Sequence, residues 1–142
     1  MLDGLRELAQ ALSIALFGFS TGCAWVAAIV APNTSYDRLD YSRADGHVRL
    51  LLINSSNHIA TACLAAAALA FLAGALSAGI VGALATAGFF TNRWTLAPRT
   101  KDEKAPPGRR TRDKTKRVVA VSLTLIFTLV TLIATGLAIA RV

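Results

Sequence analysis

Two amides, an imidazole and a hydroxyl fall within about two turns of one long uncharged run of this chain: Asn54, Asn57, His58 and Thr61. Asn54 and His58 are four residues apart, as are Asn57 and Thr61, so in a helix all four share one broad face within about two turns. Two amides, an imidazole and a hydroxyl supply donors and acceptors, but no carboxylate and no activated nucleophile. Such a group can bind a polar headgroup or an oxygenated small molecule, or it can pin two helices together by hydrogen bonds. Thr91, Asn92 and Arg93 close the next apolar run. If the two runs fold back on each other, their polar ends meet at a similar level. The spacing thus predicts a candidate ligand-binding pocket made of Asn54, Asn57, His58, Thr61, Asn92 and Arg93. His58 is the member whose proton transfer or ligand contact would turn a structural cluster into a working site.

Other chemistries lack the residues they need. No Asp or Glu falls inside an apolar run, which argues against a carboxylate-coupled multidrug antiporter. Cys23 and Cys63 both lie within apolar runs, where thiols behave as small hydrophobes, so neither a disulfide nor a metal site is expected. With His58 the one histidine in an apolar run and His47 outside them, neither a bis-histidine haem within one chain nor another cofactor is expected. No Ser–His–Asp set, CxxC pair, HExxH helix or glycine-rich phosphate loop is present.

The elements that must position the polar residues follow from composition. Of 142 residues, 54% are hydrophobic and 16% charged, and the mean hydropathy is +0.53. The net charge is +7, yet ten of the fifteen Lys and Arg lie between Arg93 and Arg117. Charge confined to one segment leaves long runs free of it, the pattern a bilayer imposes. Leu8 to Val30 is uncharged and is followed by Ala31, Pro32 and Asn33, which should end the helix. At 1.5 Å per residue it reaches about 34 Å, enough to cross about 30 Å of hydrocarbon and too long for a cleavable signal peptide. Leu50 to Phe90 holds no Asp, Glu, Lys or Arg over 41 residues, about twice what one crossing needs, so it must fold back near Gly74. The sequence predicts an all-α integral membrane protein, a four-transmembrane-helix bundle in a single membrane domain, with spans at about 8–30, 50–73, 76–94 and 118–140 and long loops at 31–49 and 95–117.

Four spans put both termini and the Gly74 turn on one side. Thirteen Lys and Arg then face two, and the positive-inside rule makes both long loops cytoplasmic and both termini external. A three-span reading would place the two basic loops on opposite sides. The segment Ala97 to Arg117 is proline-rich and nearly free of apolar residues, which suits a solvated tether or a patch for anionic lipid headgroups. Nucleic-acid binding is not expected, because no recognition fold or interleaved aromatic residues accompany the charge.

In hydrocarbon, small and polar residues mark helix contacts. Gly18 and Gly22 continue a small-residue stripe through Ala11 and Ala15. Gly74, Ala78 and Gly82 form another on the third span. Thr124, Thr128, Thr131 and Thr135 recur at spacings of 4, 3 and 4 and share one face, which should point inward. These features suggest internal packing, with contact to a partner membrane protein or a second copy as the alternative.

The first span's GFSTG, the later Pro32, an Arg-bearing loop and a third span closing on TNRWTLAP together resemble the small four-helix membrane proteins that include anthrone-oxygenase-like proteins. The resemblance covers the first three spans. It implies a cofactor-independent oxygenase or a relative of one, with Asn92 and Arg93 matching the polar end of the family's third helix. The fourth span departs from the pattern, lacking Trp, His and Arg near its start. Two functional expectations follow: an accessory or interaction subunit of a membrane assembly, or a membrane-embedded enzyme or binding protein for a lipid-like or aromatic small molecule.

Overall fold

The computed structural model describes residues 1–96 and 109–142, with side chains for 1–93 other than Ser42 and for 118–142. Every element among them is helical: α1 (Leu2–Trp25), a π-helical segment (Val26–Val30), α2 (Ala31–Arg38), α3 (Tyr41–Ala73), α4 (Leu76–Leu96) and α5 (Arg109–Ile139). Each long helix packs on the next, and α1 closes the ring against α5. Contacts at the ends fix the directions. Gln10 Nε2 donates to the Ala138 carbonyl over 2.7 Å, and the backbone N–H of Ser77 donates to the Val142 carbonyl over 3.0 Å. The start of α1, the α3–α4 turn and the end of α5 therefore share one end of an up-and-down four-helix bundle.

Three helical stretches are long and apolar enough to cross a membrane: Leu2–Arg38, Arg43–Ala73 and Val118–Ile139. α4 has 21 residues, about 31 Å of helix, and lies between α3 and α5.

The chain does not leave the helix at Ala31, Pro32 and Asn33 as the sequence suggests. It continues to Arg38, and the π-helical turn explains how. Proline lacks an N–H and its ring clashes with the carbonyl four residues earlier. Widening the preceding turn, with the Ala31 N–H reaching the Val26 carbonyl five residues back, re-aims the carbonyls ahead of the buried Pro32. The segment 31–49 is accordingly not a loop. It is a helical hairpin of α2 and the first turns of α3, broken at extended Leu39 (φ −118°, ψ 152°). Ser35 Oγ lies 3.0 Å from His47 Nδ1 across it, and the Tyr36 and Tyr41 rings meet at 5.7 Å.

The core is built mainly from alanine. Phe17 sits among Ala66, Ala67, Ala70, Ala75, Ala78, Ala134 and Ala138, so the backbones come close and a single ring fills the gap. Further along the bundle, Ala24, Ile59, Ala60, Cys63, Ala85 and Phe89 form a second cluster, and Ala27, Val48, Leu52 and Ala120 a third.

The small-residue stripes divide. Ala78 is fully buried, and Gly82 is covered by Phe17, whose Cζ would lie 2.5 Å from an added Cβ. Gly74 takes no part in helix packing: it is the left-handed residue after α3 (φ 88°), where its missing side chain permits the turn. Gly18 and Gly22 do not pack internally either. Both are exposed, with nothing within 4 Å of an added Cβ, because α1 buries its other face, carrying Ala9, Ser13, Phe17, Ser20 and Ala24.

Candidate functional site

The six residues expected to form one pocket lie at one level of the bundle but on different sides of it. Arg93 Nη1 donates to Asn57 Oδ1 over 2.8 Å, linking α4 to α3 on the outer surface. Asn54, His58 and Thr61 stand on the exposed face of α3, with Asn57 half-buried beside them. Thr61 returns its hydroxyl to the Asn57 carbonyl over 2.8 Å. Asn92, one residue from Arg93, turns the other way and is fully buried. Consecutive helical residues diverge by about 100°, so one helix cannot aim both at a single interior pocket. The polar set is an outer patch of five residues, with Asn92 inside.

Asn92 joins α4 to α5. Its Nδ2 donates to Thr124 Oγ1 over 2.7 Å and lies 3.4 Å from the Ala120 carbonyl. Thr124 begins the threonine face, and each hydroxyl on that face is satisfied within its own helix: Thr124 to the Ala120 carbonyl, Thr128 to Thr124, Thr131 to Thr128 and Thr135 to Thr131, over 2.6 to 2.8 Å. Thr124, Thr128 and Thr131 are 4% exposed or less, so this face points into the bundle. Thr21 Oγ1 approaches Thr131 Oγ1 at 3.1 Å and fastens α1 to it. Replacing Thr128 with Leu should overfill this contact and destabilise the bundle by about 1 to 3 kcal/mol. Leu129→Ile, on the outward side at 59% exposure, should change little. Thermal aggregation in detergent compares the two, and equal midpoints would contradict an inward seam.

Sequence reasoning missed the buried hydroxyls of α1. Ser13 and Ser20 are fully buried and donate to the Gln10 and Leu16 carbonyls over 2.9 and 2.8 Å. The signal was present: Ser13, Phe17, Ser20 and Ala24 recur at spacings of 4, 3 and 4, as the threonines of α5 do. These donors are bonded to their own helices, as Thr86 is to the Gly82 carbonyl over 2.9 Å.

An open groove of about 500 Å³ runs along the outside between α1 and α3, lined by Phe19, Gly22, Cys23, Val26, Ala27, Ala31, Leu51 and Ser55. Ser55 donates to the Leu51 carbonyl over 2.7 Å, so the lining presents apolar surface. The absent side chain of Gly22 and the wide turn at Val26–Val30 leave room for it. Among the described residues no group of three or more His, Cys, Asp or Glu could hold a metal ion. Residues 97–108 of the basic segment expected to meet anionic headgroups lie outside the described residues.

Comparison of the chain with protein-family models, with curated proteins and with solved structures returns no match to any of them.

Proposed function

We propose that the chain is a four-helix integral membrane protein that acts as an accessory or interaction subunit of a membrane assembly. The observation that carries this reading is the outward placement of the α1 ridge, in which Ala11, Ala15, Gly18 and Gly22 are all exposed. In lipid, apolar burial drives helix association weakly, and close backbone approach at small residues does much of the work. A ridge turned away from its own bundle is therefore available to a partner helix, either from another membrane protein or from a second copy. The bonded interior hydroxyls fit the same reading, since they leave few groups for catalysis. Purification from native membranes in mild detergent tests it. A partner retained in stoichiometric amount is expected, and the chain running alone as a monomer would contradict it.

A second reading, a binding protein or enzyme for a lipid-like or aromatic molecule, draws on the α1–α3 groove, whose volume falls within the range of small-molecule sites. A bound apolar molecule identified by mass spectrometry after purification would favour the second reading.

The expected orientation has the basic segments 31–49 and 95–117 in the cytoplasm and both termini outside, given thirteen Lys and Arg against two. After replacement of Cys23 and Cys63, an impermeant thiol reagent on intact cells should label a cysteine at Asp3 and spare one at Ser42. The opposite pattern would invert the topology.

A further inference from the structure

The outer patch on α3 and α4 has a chemistry that neither the packing nor the accessory role uses. Counting about 20 residues back from Gly74, the length that crosses about 30 Å of hydrocarbon, reaches Asn54. Asn54, Asn57 and His58 then stand where acyl chains give way to headgroups, and the helical hairpin of α2 and early α3 rises beyond them. The Arg93–Asn57 bond puts the guanidinium at the same level. This placement removes the cost of exposing amides and an imidazole to lipid tails.

At that level Arg93 is a fixed cation. Asn57 Oδ1 takes one of its N–H groups, and an exposed guanidinium presents the remaining donors in a planar fork that matches two oxygens of a phosphate. Asn54 and His58 add exposed donors on the same face, and Thr61 follows one turn deeper. Below them α3 presents the exposed Leu64 and Leu72, suited to acyl chains. The order of phosphate ligand, polar linker region and apolar track is that of a glycerophospholipid standing in the leaflet. The concentration of Lys and Arg at this end disfavours the ammonium of a zwitterionic headgroup.

From this juxtaposition we infer that Arg93, held by Asn57, binds the phosphate of one anionic glycerophospholipid on the outer face of the bundle. The inference rests on the four-helix membrane reading above, and its test separates the two. The full chain is purified in neutral detergent and titrated with phosphatidylglycerol, phosphatidylcholine or inorganic phosphate, and bound lipid is counted by native mass spectrometry. Wild type should retain one phosphatidylglycerol at about tenfold lower lipid concentration than phosphatidylcholine, because both phosphates can meet the fork but the choline ammonium is repelled by the cations at this end. Arg93→Gln and Asn57→Leu should each lose most of that preference with unchanged thermal stability, and Arg6→Gln, at the other end of the bundle, should keep it. Arg93→Lys keeps the charge without the fork and should fall between, which covers the case in which Arg93→Gln fails to fold. Equal retention of the two lipids, a preference that survives in both Arg93 variants, or displacement by millimolar inorganic phosphate would overturn the inference. Release of the chain from membranes by alkaline carbonate would instead contradict the membrane reading itself.

Discussion

Gly82→Ala should be among the most damaging single-methyl additions in the bundle, lowering its stability by about 2 to 3 kcal/mol. The added Cβ would lie 2.5 Å from Phe17 Cζ, 2.6 Å from Phe17 Cε1 and 3.2 Å from Ala67 Cβ. Phe17 cannot yield, because it is fully buried within a wall of alanines on α3, α4 and α5. The contrast is Gly18→Ala on α1, where nothing lies within 4 Å and helix propensity alone favours alanine by up to about 1 kcal/mol. Denaturation by sodium dodecyl sulfate in mixed micelles measures both. Phe17→Leu should relieve part of the Gly82→Ala penalty, so the double variant should be more stable than the sum of the single effects implies. A neutral Gly82→Ala would mean that the ring and helix α4 are not packed as described.

Asn92→Asp should cost about 3 kcal/mol or more and deplete the folded protein. The side chain is fully buried, and its Nδ2 donates towards Thr124 Oγ1 and the Ala120 carbonyl. A carboxylate there would set oxygen against oxygen, since the Thr124 hydroxyl proton is directed to the Ala120 carbonyl, and it would bring a charge into a fully buried position. Asn92→Leu, which loses the bond without adding charge, should cost only about 1 kcal/mol, near the usual worth of an interhelical hydrogen bond in lipid. The same denaturation assay ranks the two. If Asp and Leu proved equally mild, the α4–α5 seam would have to be open to water.

The helical class and the hairpin at Gly74 were legible because an uncharged run of 41 residues has few other solutions and glycine readily takes a positive φ. The inward side of α5 was legible too, since four threonines at helical spacing define a face that its own carbonyls can satisfy. Pro32 misled the reading because the usual rule treats proline as a terminator, and a single widened turn is enough to carry a helix past it. The polar set misled it for another reason. Spacing states which residues share a face, and packing decides where that face points. On α1 the buried side carries Ser13 and Ser20 while Leu8, Leu12 and Phe19 are exposed, the reverse of a water-soluble helix. Asn54, His58 and Thr61 were expected to converge with Asn92 in one pocket, yet α3 carries them on its exposed face while Asn92 is buried.

The central claim is that the exposed small-residue ridge of α1 meets another polypeptide in the membrane. Site-specific photocrosslinking in native membranes tests it most directly. A benzophenone amino acid at Gly18 or Gly22 has room, because no atom lies within 4 Å of an added Cβ at either. The control sits at Ile133 on α5, which is 57% exposed. The account predicts one discrete protein adduct from the α1 positions, of partner or dimer mass, and only lipid adducts from Ile133. Lipid adducts alone at all three positions would contradict it.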